Sequence, residues 1–253
     1  MITRAVLLLA TILSVSAGAA LAKGDALDIK SLKVPSGMEY TIFYQGPHTA
    51  AFELKRPRPT DDSVLLCIPC AFTSYVGSID GIYVCDGKIH HKHFVSNACG
   101  GAGIIRNGSI DLISTNKGKI FTSDYLKELS AKRASLFQQF LVVENGVPAH
   151  FKDKTLFQRR AIVKFRDGQT ALVESKNALT LTQFGVDLKD MGAKSALYTD
   201  MGAYDEGWYR DADKTVKPIG NDRSLTEKQT NWLTFRVKQT VSQGDKTRTK
   251  ASQ

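Results

Sequence analysis

Past residue 22 the sequence has no apolar run long enough to cross a bilayer, which excludes a chain anchored by an internal membrane helix. It has no recognition-helix signature, no zinc-finger spacing and no repeat of basic with aromatic residues. Its formal net charge of +9 therefore does not single out nucleic acid. That charge favours anionic partners in general, such as phosphate esters, acidic polysaccharide or a membrane surface. Helical periodicity is scarce. Cysteine is sparse too, with Cys67, Cys70, Cys85 and Cys99 close together in the chain and without the paired knuckles of a structural zinc site.

What is present begins with an export signal. Met1 to Arg4 is a short basic stretch, Ala5 to Ala19 is small and apolar, and Ala20-Leu21-Ala22 supplies a small-x-small cleavage site. Residues 1–22 are thus expected to be a signal peptide. The mature chain would reach the periplasm or the outside of the cell, with no stable membrane insertion once the signal is removed. In an exported chain, an even and clustered set of cysteines reads as a disulfide framework with three possible pairings. Cys67-Ile68-Pro69-Cys70 also has the spacing of a thiol–disulfide exchange motif. Such a motif needs a helix N-terminus to lower the thiol pKa, and the flanking residues read as a strand running into a loop.

The mature chain reads mostly as strands. Met38 to Tyr44, Ala50 to Leu54 and Val64 to Ile68 come first, with Arg56-Pro57-Arg58-Pro59 as a loop between the last two. Asp86-Gly87, Asn107-Gly108 and Asn145-Gly146 are tight-turn dipeptides between apolar stretches. Ala161 to Phe165 and Thr170 to Glu174 flank Asp167-Gly168, and Thr234 to Val237 is a last strand. One helix is predicted from Asp124 to about Ser135, capped by Thr122 or Ser123. A second starts at Thr180 or Thr182 and runs towards Gly192. The expected fold is α+β, a single compact domain over 23–240 with mostly antiparallel or mixed sheet and two or three helices. Residues 241–253 read as a flexible polar tail.

The most informative stretch is Ala196-Leu197-Tyr198-Thr199-Asp200-Met201-Gly202, an apolar strand ending on a carboxylate. Tyr204, Asp205, Glu206, Trp208, Tyr209 and Arg210 follow at once. Carboxylates, aromatics and an arginine at the end of a buried strand suit a carbohydrate or phosphate-ester pocket. Asp200 is the first candidate for a catalytic carboxylate, with Glu206 or Asp205 as its partner. Arg210 is a candidate anion contact, and Tyr204, Trp208 and Tyr209 are candidates for stacking on a sugar face. His90, His91 and His93 form the only histidine cluster; read on one strand, His91 and His93 share a face, with no third ligand nearby. No metal site is assigned, a divalent metal stays open, and no organic cofactor is expected.

The order of several segments carries a resemblance. Phe137-Gln138-Gln139-Phe140-Leu141-Val142-Val143-Glu144-Asn145-Gly146 is followed by Arg159-Arg160-Ala161-Ile162-Val163, by Asp167-Gly168, by Leu179-Thr180-Leu181, and by the strand into Asp200-Met201-Gly202. This series resembles the phosphodiester glycosidase family, whose bacterial members are often labelled exopolysaccharide-biosynthesis-related proteins. The resemblance implies a hydrolase of a glycosyl phosphodiester or related glycan linkage, acting on an anionic glycan or sugar phosphate. It aligns Arg159, with Arg160 beside it, to the family's arginine before a small-apolar strand, Asp200 and Gly202 to its Asp-Gly-Gly turn, and Pro69 to Thr73 to its Asn-x-Gly-Phe-Phe segment, which brings Thr73 to the substrate. Met201 replaces the first glycine of the turn, and Ala71-Phe72-Thr73 replaces Gly-Phe-Phe. Those departures keep a second reading open, an envelope protein that binds anionic polysaccharide without cleaving it.

Overall fold

The computed structural model describes residues 26–74, 76–201, 207–220 and 226–238. The expected signal peptide, the tail, and Gly202, Tyr204, Asp205 and Glu206 lie outside the described residues. Among them the chain is α+β and rich in sheet: three antiparallel sheets and two α-helices, neither long and apolar enough to cross a membrane.

The seven-stranded sheet runs in the order Asp28–Lys33, Glu39–Tyr44, Thr170–Ser175, Arg160–Phe165, Ala193–Tyr198, Leu141–Glu144 and Val147–Pro148. Its central strands are buried on both faces, which is why Ala161 to Val163 and Ala171 to Val173 read as unbroken apolar runs. On one face Phe43, Leu172, Ile162 and Leu197 lie opposite one another across four strands. They meet Leu66, Ile68, Leu233 and Phe235 of the second sheet and Ile105 and Phe137 of the third in a shared core. On the other face, Ile42, Val163, Val173 and Ala196 pack under helix α2 (Leu181–Asp190) through Phe184 and Leu188.

The second sheet has the order Val216–Pro218, Trp208–Arg210, Val64–Pro69, Trp232–Arg236 and Thr49–Glu53. The third runs Lys88–His90, Tyr83–Cys85, Ser135–Gln139, Gly101–Arg106 and Ser109–Ser114. Helix α1 (Ser123–Ala131) covers the third sheet with Leu126 and Leu129.

Both helices are capped as their sequences predict, by Thr122 and Thr180, whose side chains accept from the backbone N–H three residues on. The first helix is shorter than expected. Arg133 turns into the left-handed region, and Ser135 begins a strand rather than ending the helix. The turns at Asp86-Gly87, Asn107-Gly108 and Asn145-Gly146 place both residues at positive φ, the geometry that hairpin turns of that composition adopt. The histidine run is not one strand: the strand stops at His90, and His91 has a φ of 49°. The two rings pack on Tyr83, His90 stacked at 4.7 Å and His91 edge-on at 5.2 Å.

The disulfide framework is corrected. None of the four cysteines is joined to another. Cys67 packs with Val64, Trp208 and Trp232, and Cys70 belongs to the central core. The Cys85 thiol donates to the Phe52 carbonyl at 3.4 Å, and Cys99 is buried at the strand end before Gly101. Burial pushes the Cys99 thiol up to about 11 and the Cys70 thiol well above its ordinary value, the latter helped by the neighbouring Asp200 charge. Both thiols of Cys67-Ile68-Pro69-Cys70 are fully buried, and a thiol shut away from solvent is a poor nucleophile, which argues against exchange chemistry there. Thiol titration checks this. All four cysteines are expected to react after denaturation without reductant, against at most the half-buried Cys85 in the native protein. Two missing thiols in the denatured sample would restore a disulfide.

Candidate active site

The strand Ala193–Tyr198 is flanked by Arg160–Phe165 and Leu141–Glu144, and its apolar residues hold it deep in the molecule. Where it ends, the seven-stranded sheet is tied to the second sheet. The Asp200 N–H donates to the Cys70 carbonyl at 2.8 Å, just past the strand Val64–Pro69. The carboxylate completes the junction: Oδ2 accepts from the Thr73 N–H at 2.9 Å and Oδ1 from the Met201 N–H at 3.0 Å. Asp200 is only 4% exposed.

The Ala71–Thr73 segment is held from its other side. Asn231 bonds the Ala71 N–H and carbonyl through its two amide atoms, at 2.7 and 3.0 Å. The Thr73 hydroxyl donates to Gln229 Oε1 at 3.0 Å and accepts from Asn231 Nδ2 at 3.2 Å. The Thr73 side chain thus points into a buried amide network, and its backbone N–H is what reaches Asp200. Sequence reasoning gave Gln229 and Asn231 no role, because nothing local links residues so far apart in the chain.

Beside this junction lies a cavity of about 760 Å³. Phe72, Phe140, Phe151, Phe157 and Tyr198 supply aromatic wall, and Leu156, Leu181 and Met201 supply aliphatic wall. The polar lining is one stretch of chain, Lys152, Asp153, Gln158 and Arg159. The rings support one another: Phe72 meets Phe140 edge-on at 5.0 Å, and Phe140 meets Phe151 at 5.9 Å. Asp200 itself is not on the wall, but Tyr198, Met201 and Phe72 around it are.

Arg159 and Arg160 part company, as neighbours on a strand must. Arg160 is fully buried, on the side of Ile162 and away from the cavity, with its guanidinium against the Glu174 carboxylate. Arg159 lines the cavity. Its Nε donates to the Leu179 carbonyl at 3.1 Å, one Nη to the Tyr198 hydroxyl at 3.2 Å and the other to the Thr155 carbonyl at 2.9 Å. A guanidinium carries five N–H groups, so two are left without an acceptor in the protein. Burial pushes the Tyr198 phenol above its ordinary value, against the pull of the Arg159 guanidinium. The phenol therefore keeps its proton at neutral pH. It accepts from Arg159 and has its own O–H to give. The signal for Tyr198 was its place in the strand two residues before Asp200.

The other candidates sit elsewhere. Trp208 is buried in the second sheet among Val64, Cys67 and Trp232. Arg210 is 6% exposed and ties two loops together, donating to the carbonyls of Pro59 at 2.7 Å and Lys214 at 2.9 Å and pairing with Asp62. Neither lines the cavity. Among the described residues no three of His, Cys, Asp and Glu gather closely enough to hold a metal ion.

The fold matches that of the zebrafish N-acetylglucosamine-1-phosphodiester alpha-N-acetylglucosaminidase catalytic domain, solved in a form auto-inhibited by its pro-peptide. The TM-score is 0.56 at 12% identity, over 84% of this chain and 82% of that one. A hypothetical protein from Synechocystis matches with a TM-score of 0.53 at 11% identity, over 84% of this chain and 62% of that one, so this chain spans less than two thirds of its length. At these identities the likeness is a distant structural one, to a glycosidase catalytic fold, and assigns no specific family. No protein-family model matches the chain, and no curated protein does.

Proposed function

We propose that the chain is an exported hydrolase that cleaves a glycosyl phosphodiester in the cavity beside Asp200. One observation carries the reading. A glycosidase-like fold here sets a guanidinium with two unspent N–H groups and a protonated phenol on the wall of a cavity, next to a buried carboxylate. In the reaction, water oxygen bonds to the anomeric carbon as the bond from that carbon to the phosphate oxygen breaks. The phosphate leaves as a monoester, and the proton lost by water is taken up by a base or the solvent. The departing group collects negative charge, which the Arg159 N–H pair suits because a guanidinium binds phosphate through parallel hydrogen bonds. The Tyr198 hydroxyl, bonded to the same guanidinium, is the second donor proposed for those oxygens. The developing sugar cation calls for a carboxylate, the role proposed for Asp200, and the second carboxylate would come from Asp205 or Glu206.

A second reading, an envelope protein binding anionic polysaccharide, draws on a specific feature. Both Asp200 oxygens already accept backbone N–H groups, and the cavity wall is aromatic and cationic. The test is a panel of sugar-1-phosphodiesters, with and without divalent metal, assayed for free sugar and phosphate monoester together. Turnover is expected, and Arg159→Met is expected to lower kcat/KM by about 10–100-fold, the scale of a lost contact to transition-state charge. Retention of intact ligand without turnover would select the binding protein. Neither turnover nor retention would leave only the shared fold.

A further inference from the structure

Resting on that reading, the cavity wall narrows the substrate class. The polar lining is confined to one stretch of chain, Lys152, Asp153, Gln158 and Arg159, and much of it is already bonded to neighbouring residues. The Asp153 carboxylate accepts from the Thr155 N–H at 2.9 Å and its hydroxyl at 2.6 Å. The Gln158 amide donates to Glu174 at 3.1 Å and to the Ser175 carbonyl at 3.0 Å. The rest of the wall is ring and aliphatic surface, with Arg159 and Lys152 as its cationic residues, Asp153 at the exposed edge and the buried, unpartnered Gln158 Oε1 as a single acceptor. The apolar surface does not stop at the rim. Leu156 is 64% exposed and Phe157 55%, and both belong to the wall. A continuous apolar track therefore leads from the guanidinium to solvent.

We propose that the alcohol esterified to the phosphate in the substrate is a linear aliphatic chain, so that the ligand is a lipid glycosyl phosphodiester. Its anion sits at Arg159 and its chain runs along Phe140, Phe151 and Leu156 and out past Phe157. The volume is that of a site that encloses a whole small ligand, and each methylene moved from water onto such a wall tightens binding by about two- to fourfold.

The experiment compares methyl, hexyl and dodecyl esters of one sugar-1-phosphate, kept below their micelle concentrations. In parallel, binding of methyl phosphate and dodecyl phosphate, which carry no sugar, is measured by calorimetry. Expected are a kcat/KM that climbs from methyl to dodecyl by about a hundredfold or more, and dodecyl phosphate binding where methyl phosphate does not. Leu156→Asp is expected to flatten the series, because it puts a charge on the track. Equal turnover of the three esters would overturn the lipid chain and leave the hydrolase standing. If no ester were cleaved, selective binding of dodecyl phosphate would uphold the aliphatic site while the hydrolase failed. Equal or absent binding of both phosphates would overturn the inference as well.

Discussion

Asp200→Asn is expected to lower turnover of a glycosyl phosphodiester by about 10²–10³-fold, the range for removing a preorganised group that stabilises developing charge. The substitution changes one atom, but the geometry makes it more than a loss of charge. Oδ1 and Oδ2 each accept a backbone N–H, from Met201 and from Thr73. An amide keeps one acceptor and turns an NH₂ towards the other N–H, so two donors face each other in a buried place. That should cost about 1–3 kcal/mol of stability. Thermal melting and steady-state kinetics on the same preparation separate the two effects. A role in catalysis predicts that the folded variant is inactive well below its melting temperature. A role in folding alone predicts a lower melting temperature with kcat kept, which would remove Asp200 from the mechanism.

The same residue marks how far the sequence could be read. The carboxylate at the end of an apolar strand is a local feature, and so are the Thr122 and Thr180 caps and the hairpin dipeptides at Asn107-Gly108 and Asn145-Gly146. Each is fixed by residues within a few positions, so composition and spacing reveal it. The cavity is not local. Phe72, Phe140, Phe151, Arg159, Leu181 and Met201 come from five separate segments, and only the sheet order brings them together. That order pairs Glu39–Tyr44 with Thr170–Ser175 across more than a hundred residues, which no periodicity encodes. Trp208 and Arg210 misled for the opposite reason. They follow Asp200 closely in sequence, yet the strand Trp208–Arg210 pairs with Val64–Pro69 in a different sheet, and Arg210 spends its N–H groups on that sheet's loop carbonyls. The cysteine reading rested on export and on an even count, neither of which says which side chains touch.

Arg160→Ala is the substitution expected to cost the fold most, about 3–5 kcal/mol, as removing one partner of a buried ion pair does. Arg160 heads the fully buried side chains, and its cross-strand neighbour is Glu174, itself largely buried and bonded to the Gln158 amide at 3.1 Å. Alanine deletes the positive charge opposite that carboxylate and leaves space where the guanidinium lay. Against a typical domain stability of about 5–15 kcal/mol the loss is a large share of the whole, so the midpoint of urea unfolding should fall steeply. The pair need not add net stability to exert this effect. Desolvating two charges consumes most of their attraction, and the apolar double replacement Arg160→Met with Glu174→Leu should recover much of the loss. Activity is expected not to return with it. The Arg160 carbonyl accepts the Thr199 N–H at 3.2 Å, one residue before Asp200, so the strand that Arg160 holds also sets where the carboxylate stands. A double variant that is stable but slow would assign the pair to positioning the site, and one both stable and fully active would reduce it to a replaceable piece of core.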